Sequence, residues 1–167
     1  LIARAISPLF DGRLRRDVQV VLTVLAIDEE NDPDLVALNA ASIALAISPI
    51  PWSGPVAGVR VAKIGNEYKI NPFNKDLKEN LEFETFVAGP EERIGMIELS
   101  GLEASEENVL HGFKIAQNEI NKIIAFQKNI IKSVGEEKLS LELRDSDPAL
   151  VSQVKEFLKD KLESALF

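Results

Sequence analysis

Ile50-Pro-Trp-Ser-Gly-Pro-Val-Ala-Gly-Val-Arg-Val-Ala-Lys-Ile64 is the stretch that decides the fold. Its prolines frame a turn, and residues 55–64 then read as a glycine-containing, β-branched strand. Gly65-Asn66 and the short run Glu67 to Ile70 turn that strand into a hairpin. Ahead of the turn, residues 33–48 predict a helix that is apolar almost all round and therefore buried, stopped by Pro49 and Pro51. Ahead of the helix, Val18-Gln-Val-Val-Leu-Thr-Val-Leu-Ala-Ile27 is apolar on both faces, the pattern of a central strand covered on two sides. Glu29-Glu-Asn-Asp-Pro33 ends this strand. Asp32 is placed to cap the helix, with Pro33 at its first position and Asp34 near its positive end.

Downstream, residues 71–80 are polar and turn-rich, and Leu81 to Ala88 and Ile94 to Leu99 read as two further strands around Gly89-Pro90. Ser105, followed by Glu106 and Glu107, opens a long helix whose apolar stripe is Val109, Phe113, Ala116, Ile120, Ile123, Ile130 and Val134; Gly135 ends it. A charged linker, residues 136–147, is the best domain boundary, and Asp147-Pro148 starts an amphipathic helix that needs a partner surface. At the other end, Leu1 to Ser7 reads as a helix tail cut by Pro8. The predicted class is α+β.

Composition narrows the function. With 46% apolar and 28% charged residues the chain is globular rather than disordered. No cysteine means no disulfide and no thiolate metal site, and one histidine excludes a site with two His ligands from this chain. The most apolar stretch, Leu35 to Ile50, is shorter than the roughly 18 residues of a membrane span and carries Asn39, Ser42 and Ser48, so no membrane association is expected. A net charge of −8 opposes global attraction to nucleic acid, so any RNA contact must be local. The chain starts at Leu1 and stops within a helical pattern, which reads as a piece of something larger or a chain with absent ends.

Several short runs, taken together and in order, resemble one family. They are Pro8-Leu-Phe10, Asp17-Val-Gln-Val-Val21, Asp28-Glu-Glu-Asn-Asp-Pro-Asp34, Ala40-Ala-Ser-Ile-Ala-Leu45, Gly54-Pro-Val-Ala-Gly-Val-Arg60, Asn71-Pro72 and Phe86-Val-Ala-Gly89. In this order they resemble the first core domain of the polynucleotide phosphorylases, within the RNase PH family. The resemblance implies an RNase PH-like fold (ribosomal protein S5 domain 2-like β-α-β layers) over residues 1–135. Residues 136–167 would begin an all-helical linker domain. It further implies a cytoplasmic homotrimer that degrades mRNA from the 3′ end and releases nucleoside diphosphates. Inorganic phosphate and Mg²⁺ would be bound outside this segment, and association with RNA-degradation machinery is open. The first core domain would build the ring and guide single-stranded RNA rather than cleave it. The alternative is a non-catalytic ring subunit like those of exosome-type assemblies, or an RNA-binding scaffold.

The residues bear on that division of labour. Catalytic relatives carry a Ser-rich turn between the central strand and the buried helix. Here the turn is Glu29-Glu-Asn-Asp-Pro-Asp34, with four carboxylates and no serine, which repels phosphate. No catalytic residue is therefore expected in this segment. The family's metal-associated acids correspond to Asp76 and Glu82, six residues apart, with Glu84 expected to share the strand face of Glu82. Asp76 lies between Lys75 and Lys78, so both acids read as relicts rather than a working Mg²⁺ site. Arg13, Arg15 and Arg16 put three guanidiniums just before the apolar strand and are the candidate RNA-backbone contacts, with Arg4 a further member of the patch. The solvated alternative is pairing of this loop with Asp11 and Asp17. Relatives place more arginines between the first helix and Pro-Leu-Phe, whereas here Ser7 joins Pro8 directly. Arg60 reads as a structural ion-pair donor, Trp52 as a partly buried anchor, and His111 as a non-catalytic histidine.

Overall fold

The computed structural model describes residues 1–159 and 161–166; Asp160 and Phe167, both inside the predicted helical segment, lie outside the described residues. Two units emerge. One comprises Leu1–Asp11 and Val18–Ser140, the other Gly12–Asp17 and Leu141–Phe167.

The first unit is a four-stranded antiparallel sheet with helices on its faces. Its elements are α1 (Ile2–Ile6), α2 (Pro33–Ile47), β1 (Ala57–Ile64), β2 (Glu67–Ile70), β3 (Leu81–Gly89), β4 (Met96–Gly101) and α3 (Glu106–Val134), and the strand order is β2-β1-β3-β4. Opposed residues share a sheet face, so the pairings Val59 with Val87 and Val61 with Thr85 define one surface. That face packs through Ala57, Val59, Val61 and Val87 onto Ala116, Ile120 and Ile124 of α3. The other face meets α2 and α1 through Phe86, Ala88 and Met96, packed with Leu38, Ala41 and Leu45. Gly58 lets α2 settle close. A Cβ there would lie 2.6 Å from Leu38 Cδ2 and 2.8 Å from Phe86 Cζ.

The local signals act as their chemistry predicts. The Gly65-Asn66 turn carries Gly65 at φ +56°, a left-handed conformation natural to glycine. Ser105 caps α3 by accepting from Asn108 N at 3.3 Å. Residues 136–139 run against the end of α2, where Lys138 Nζ donates to the carbonyls of Leu45, Ala46 and Ser48 at 2.9, 2.9 and 2.6 Å. Those carbonyls are the ones a helix C-terminus leaves without partners, and a cation there also meets the negative helix end.

Four readings are corrected. Val18 to Ile27 forms neither helix nor strand, with Val21 73% and Leu25 93% exposed. The apolar pattern reports fitness for burial and not which strand edge would supply the hydrogen bonds, and the four strands of the sheet pair with one another without this run. Helix α2 is buried along one face only, and Val36 stands 73% exposed on the other. Asp32 makes no side-chain cap, because its carboxylate is drawn to Arg60 instead. The buried line of α3 runs through Gly112, Ala116, Ile120, Ile124 and Gln127, while Val134 is exposed.

In the second unit α4 (Pro148–Leu158) is capped by Asp147, which accepts from Ala149 N at 2.9 Å, and α5 spans Leu162–Leu166. Leu150, Val154 and Phe157 of α4 are exposed.

The acidic turn and the candidate nucleic-acid interface

The turn before α2 is organised around an internal anion. Asp28 accepts from the backbone N–H groups of Glu30 and Asn31, each at 2.9 Å, and from Asn31 Nδ2 at 2.8 Å. The Asn31 side chain, then the N–H groups of Asn31 and Glu30, hold the Asp28 carboxyl below the usual carboxylate range. Two successive N–H groups converging on one anion form the kind of concavity that binds phosphate elsewhere. Here a carboxylate of the chain fills it. Asn74 clamps the same turn, donating from its backbone N to Glu30 O at 2.8 Å and from Nδ2 to Glu29 O at 3.2 Å.

Past the turn, three carboxylates surround one guanidinium. Arg60 reaches Asp32 at 2.7 Å and Asp34 at 3.0 Å, with Glu84 at 3.7 Å, an ion pair beyond hydrogen-bond length. Its backbone is pinned by Asn71, whose Oδ1 accepts from Arg60 N at 2.9 Å and whose N donates to Arg60 O at 2.7 Å. Three carboxylates against one guanidinium leave a negative surplus at the helix start. Arg60 is the structural ion-pair donor its place in the strand suggested.

The metal-associated positions do not converge. Asp76 pairs with Lys69 at 3.1 Å and accepts from Phe73 N at 3.2 Å; the Lys69 bond is the main reason its carboxyl is held low. Glu82 pairs with Lys63 and accepts from Asn108 Nδ2 at 2.7 Å, which hold its carboxyl low in that order. Glu84 turns to Arg60 instead, so Glu82 and Glu84 do not share a site as strand alternation predicts; the register shifts between Lys63 and Ile64, beside Glu82. Among the described residues no group of three His, Cys, Asp or Glu side chains is arranged to hold a metal ion. Carboxylates already neutralised by lysines do not fit Mg²⁺.

The basic positions fall in different units. Arg13, Arg15 and Arg16 are exposed members of the second unit, where Arg13 pairs with Asp145 at 2.9 Å and Arg15 donates to Gly12 O at 2.7 Å. Arg4 belongs to the first unit, is exposed, and pairs with Glu98. Trp52 is more buried than expected, at 6% exposure, with Nε1 donating to Ile6 O at 3.0 Å, so it is an anchor and not a stacking platform.

Sequence reasoning misses two features. Asp28 is read only as the residue before the acidic turn, and the one hint of its role is that Asp side chains often accept from N–H groups two residues on. Gln127 gives no signal of its own inside an apolar stripe. It is fully buried and joins α2, α3 and the segment before β1 through Ser42 Oγ at 2.7 Å and Val56 O at 2.9 Å.

The chain is similar in sequence to known proteins. A polyribonucleotide nucleotidyltransferase of Listeria monocytogenes is 39% identical over 166 residues, covering 99% of this chain and 23% of its own length. One from Clostridioides difficile is 39% identical over 166 residues (99% and 24%), and one from Exiguobacterium sibiricum 39% over 155 residues (93% and 21%). The chain is homologous to a segment of the polyribonucleotide nucleotidyltransferases. It spans under a quarter of the length of these curated relatives. No family model matches it. No helix among the described residues is long and apolar enough to cross a membrane.

Proposed function

We propose that the chain works as the first core-domain segment of a polynucleotide phosphorylase with an RNase PH-like fold, building a trimeric ring and guiding single-stranded RNA toward a cleavage site elsewhere in the polypeptide. The whole enzyme would attack the 3′-terminal phosphodiester with inorganic phosphate, assisted by Mg²⁺, and release nucleoside diphosphates in the cytoplasm. The observation that carries the division of labour is the Asp28-filled turn. Its two N–H donors are already committed to a carboxylate, and the following residues add Asp32 and Asp34. A phosphate placed there would displace an internal anion and face two more.

RNA guidance falls to the arginine loop. The pair between Arg13 and Asp145 is exposed on both sides, and such pairs are worth about 0–1 kcal/mol. A phosphodiester can compete with Asp145 for this guanidinium, and Arg suits the task through bidentate donation. The acidic body confines attraction to this loop. The same turn also fits the competing reading, an inactive ring subunit of exosome type, and phosphorolysis separates the two. The complete protein should release nucleoside diphosphates from poly(A) only when phosphate is present, and the 167-residue chain should not. Turnover by the chain alone overturns the assignment. Replacing Arg13, Arg15 and Arg16 by Ala should weaken RNA binding uniformly across sequences and lower the salt slope by roughly 0.7 for each phosphate no longer neutralised. An unchanged slope removes the loop from the RNA path.

A further inference from the structure

Between β2 and the first turns of α3 lies an open cleft with a volume of about 400 Å³, within the roughly 300–1,000 Å³ range of small-ligand sites. Tyr68, Asn108, His111, Lys114 and Glu107 line it. The RNA-guidance reading rests on Arg13, Arg15 and Arg16 and uses none of these residues.

The aromatic wall is rigid. Tyr68 Oη donates to Asn108 O at 3.1 Å, and Asn108 is itself tied to Glu82 through Nδ2 at 2.7 Å and to Ser105 Oγ through its backbone N at 3.3 Å. Phe83 stands edge-on behind Tyr68, with ring centroids 6.3 Å apart and planes at 66°. Gly112 permits this. A Cβ there would lie 2.9 Å from Phe83 Cζ. On the other side the exposed His111 ring lies 4.9 Å from Tyr68 at 58°, so the rings form an angled wall rather than a closed stack. Aromatic surface held in place before binding is what base stacking needs, because little side-chain freedom remains to be lost.

The charges are ordered along that wall. Glu107, His111 and Lys114 fall at i, i+4 and i+7 of α3, hence on one helix face. Seven residues of helix span about 10 Å, comparable to the distance from a base's amino group to its phosphate. Lys114 supplies a cation for the phosphate and the imidazole a stacking surface. Glu107 accepts from an exocyclic amino group, and adenine has one whereas uracil has none.

We propose that this cleft binds one nucleotide unit, an amino-bearing base with its ribose and phosphate, either free or as a residue of single-stranded RNA. The site presupposes the reading above only in that RNA or nucleotides reach this chain. The test is amide NMR of the labelled chain titrated with AMP, UMP, hexa-adenylate and hexa-uridylate. Adenine probes should shift the amides of Asn108, His111 and Lys114 more than uracil probes. Shifts with AMP and hexa-adenylate alike mean the nucleotide unit is recognised in both forms; shifts with only one identify its source as free nucleotide or strand. His111→Ala and Lys114→Ala are both checked for native circular dichroism; the first should weaken adenylate binding roughly tenfold, the scale of losing one stack, and the second should weaken it and reduce its salt dependence by removing the phosphate's cation. Glu107→Gln should narrow the adenine preference. Absence of shifts at these amides with all four probes overturns the proposal, as does unchanged affinity in both Ala variants. Shifts confined to Arg13, Arg15 and Arg16 overturn it too, while leaving RNA guidance by that loop intact.

Discussion

Replacing Gln127 with leucine tests whether one buried amide holds the two helices and the sheet in register. The side chain is fully buried. Ser42 Oγ donates to its Oε1 at 2.7 Å, while its Nε2 donates to Val56 O at 2.9 Å; Ser42 Oγ in turn accepts from Val56 N at 2.9 Å. Leucine has nearly the same volume but leaves the Val56 carbonyl without a donor and the Ser42 hydroxyl without an acceptor. Each unmet buried group costs about 1–3 kcal/mol. Added apolar surface returns roughly 1 kcal/mol. The expected loss is therefore about 1–5 kcal/mol, a large part of the roughly 5–15 kcal/mol that keeps a domain folded. Urea unfolding followed by circular dichroism should show a lower midpoint at unchanged slope. The double variant with Ser42→Ala should lose less than the sum of the singles, since both act on one network. A leucine variant within about 0.5 kcal/mol of the parent would refute the reasoning.

Arg60→Met leaves Asp32, Asp34 and Glu84 facing one another without a cation. Removing one partner of a buried pair costs about 3–5 kcal/mol, and partial exposure here reduces that to about 1.5–3 kcal/mol in urea unfolding. Gly58→Val forces a branched side chain against Leu38 and Phe86 and should cost about 1–3 kcal/mol on the same assay. Asp28, Asp76 and Glu82 all have carboxyls held below their ordinary values in the fold. Their contribution is thus present above the unfolded carboxylate pKa near about 4 and is lost as pH falls through the lower folded values. Asp28→Asn keeps an acceptor for the turn but should make stability fall less steeply on acidification below about pH 5. An identical acid limb in that variant would remove Asp28 from the account.

Most of the first unit is legible where a local rule has no competitor. The Gly65-Asn66 turn, the Ser105 cap and the Pro33 start are read from neighbours in sequence, and the structure places the elements within a few residues of those signals. What is not legible depends on partners distant in the chain. Apolarity on two faces says that Val18 to Ile27 suits burial, but it does not say which strand edge, distant in the chain, would pair with it. Asp32 has a good capping position and a stronger claimant, Arg60, twenty-eight residues on. Glu82 and Glu84 part company because a register irregularity overrides simple alternation. Within the candidate site the repulsive character of the turn is visible from four carboxylates. That Asp28 itself sits in the anion hole is not, since an Asx turn is defined by geometry as much as by residue type.

The open apolar ribbon from Val18 to Ile27 has a practical consequence for anyone handling this polypeptide by itself. A run whose main-chain amides find no backbone partner among the described residues, with bulky aliphatic groups in water, is a template for intermolecular sheet growth. Concentrating the purified chain should therefore favour sticky, thioflavin-responsive clumps. A lysine in place of Leu25, the most solvent-bathed side chain of the ribbon, is the simplest gatekeeper against them.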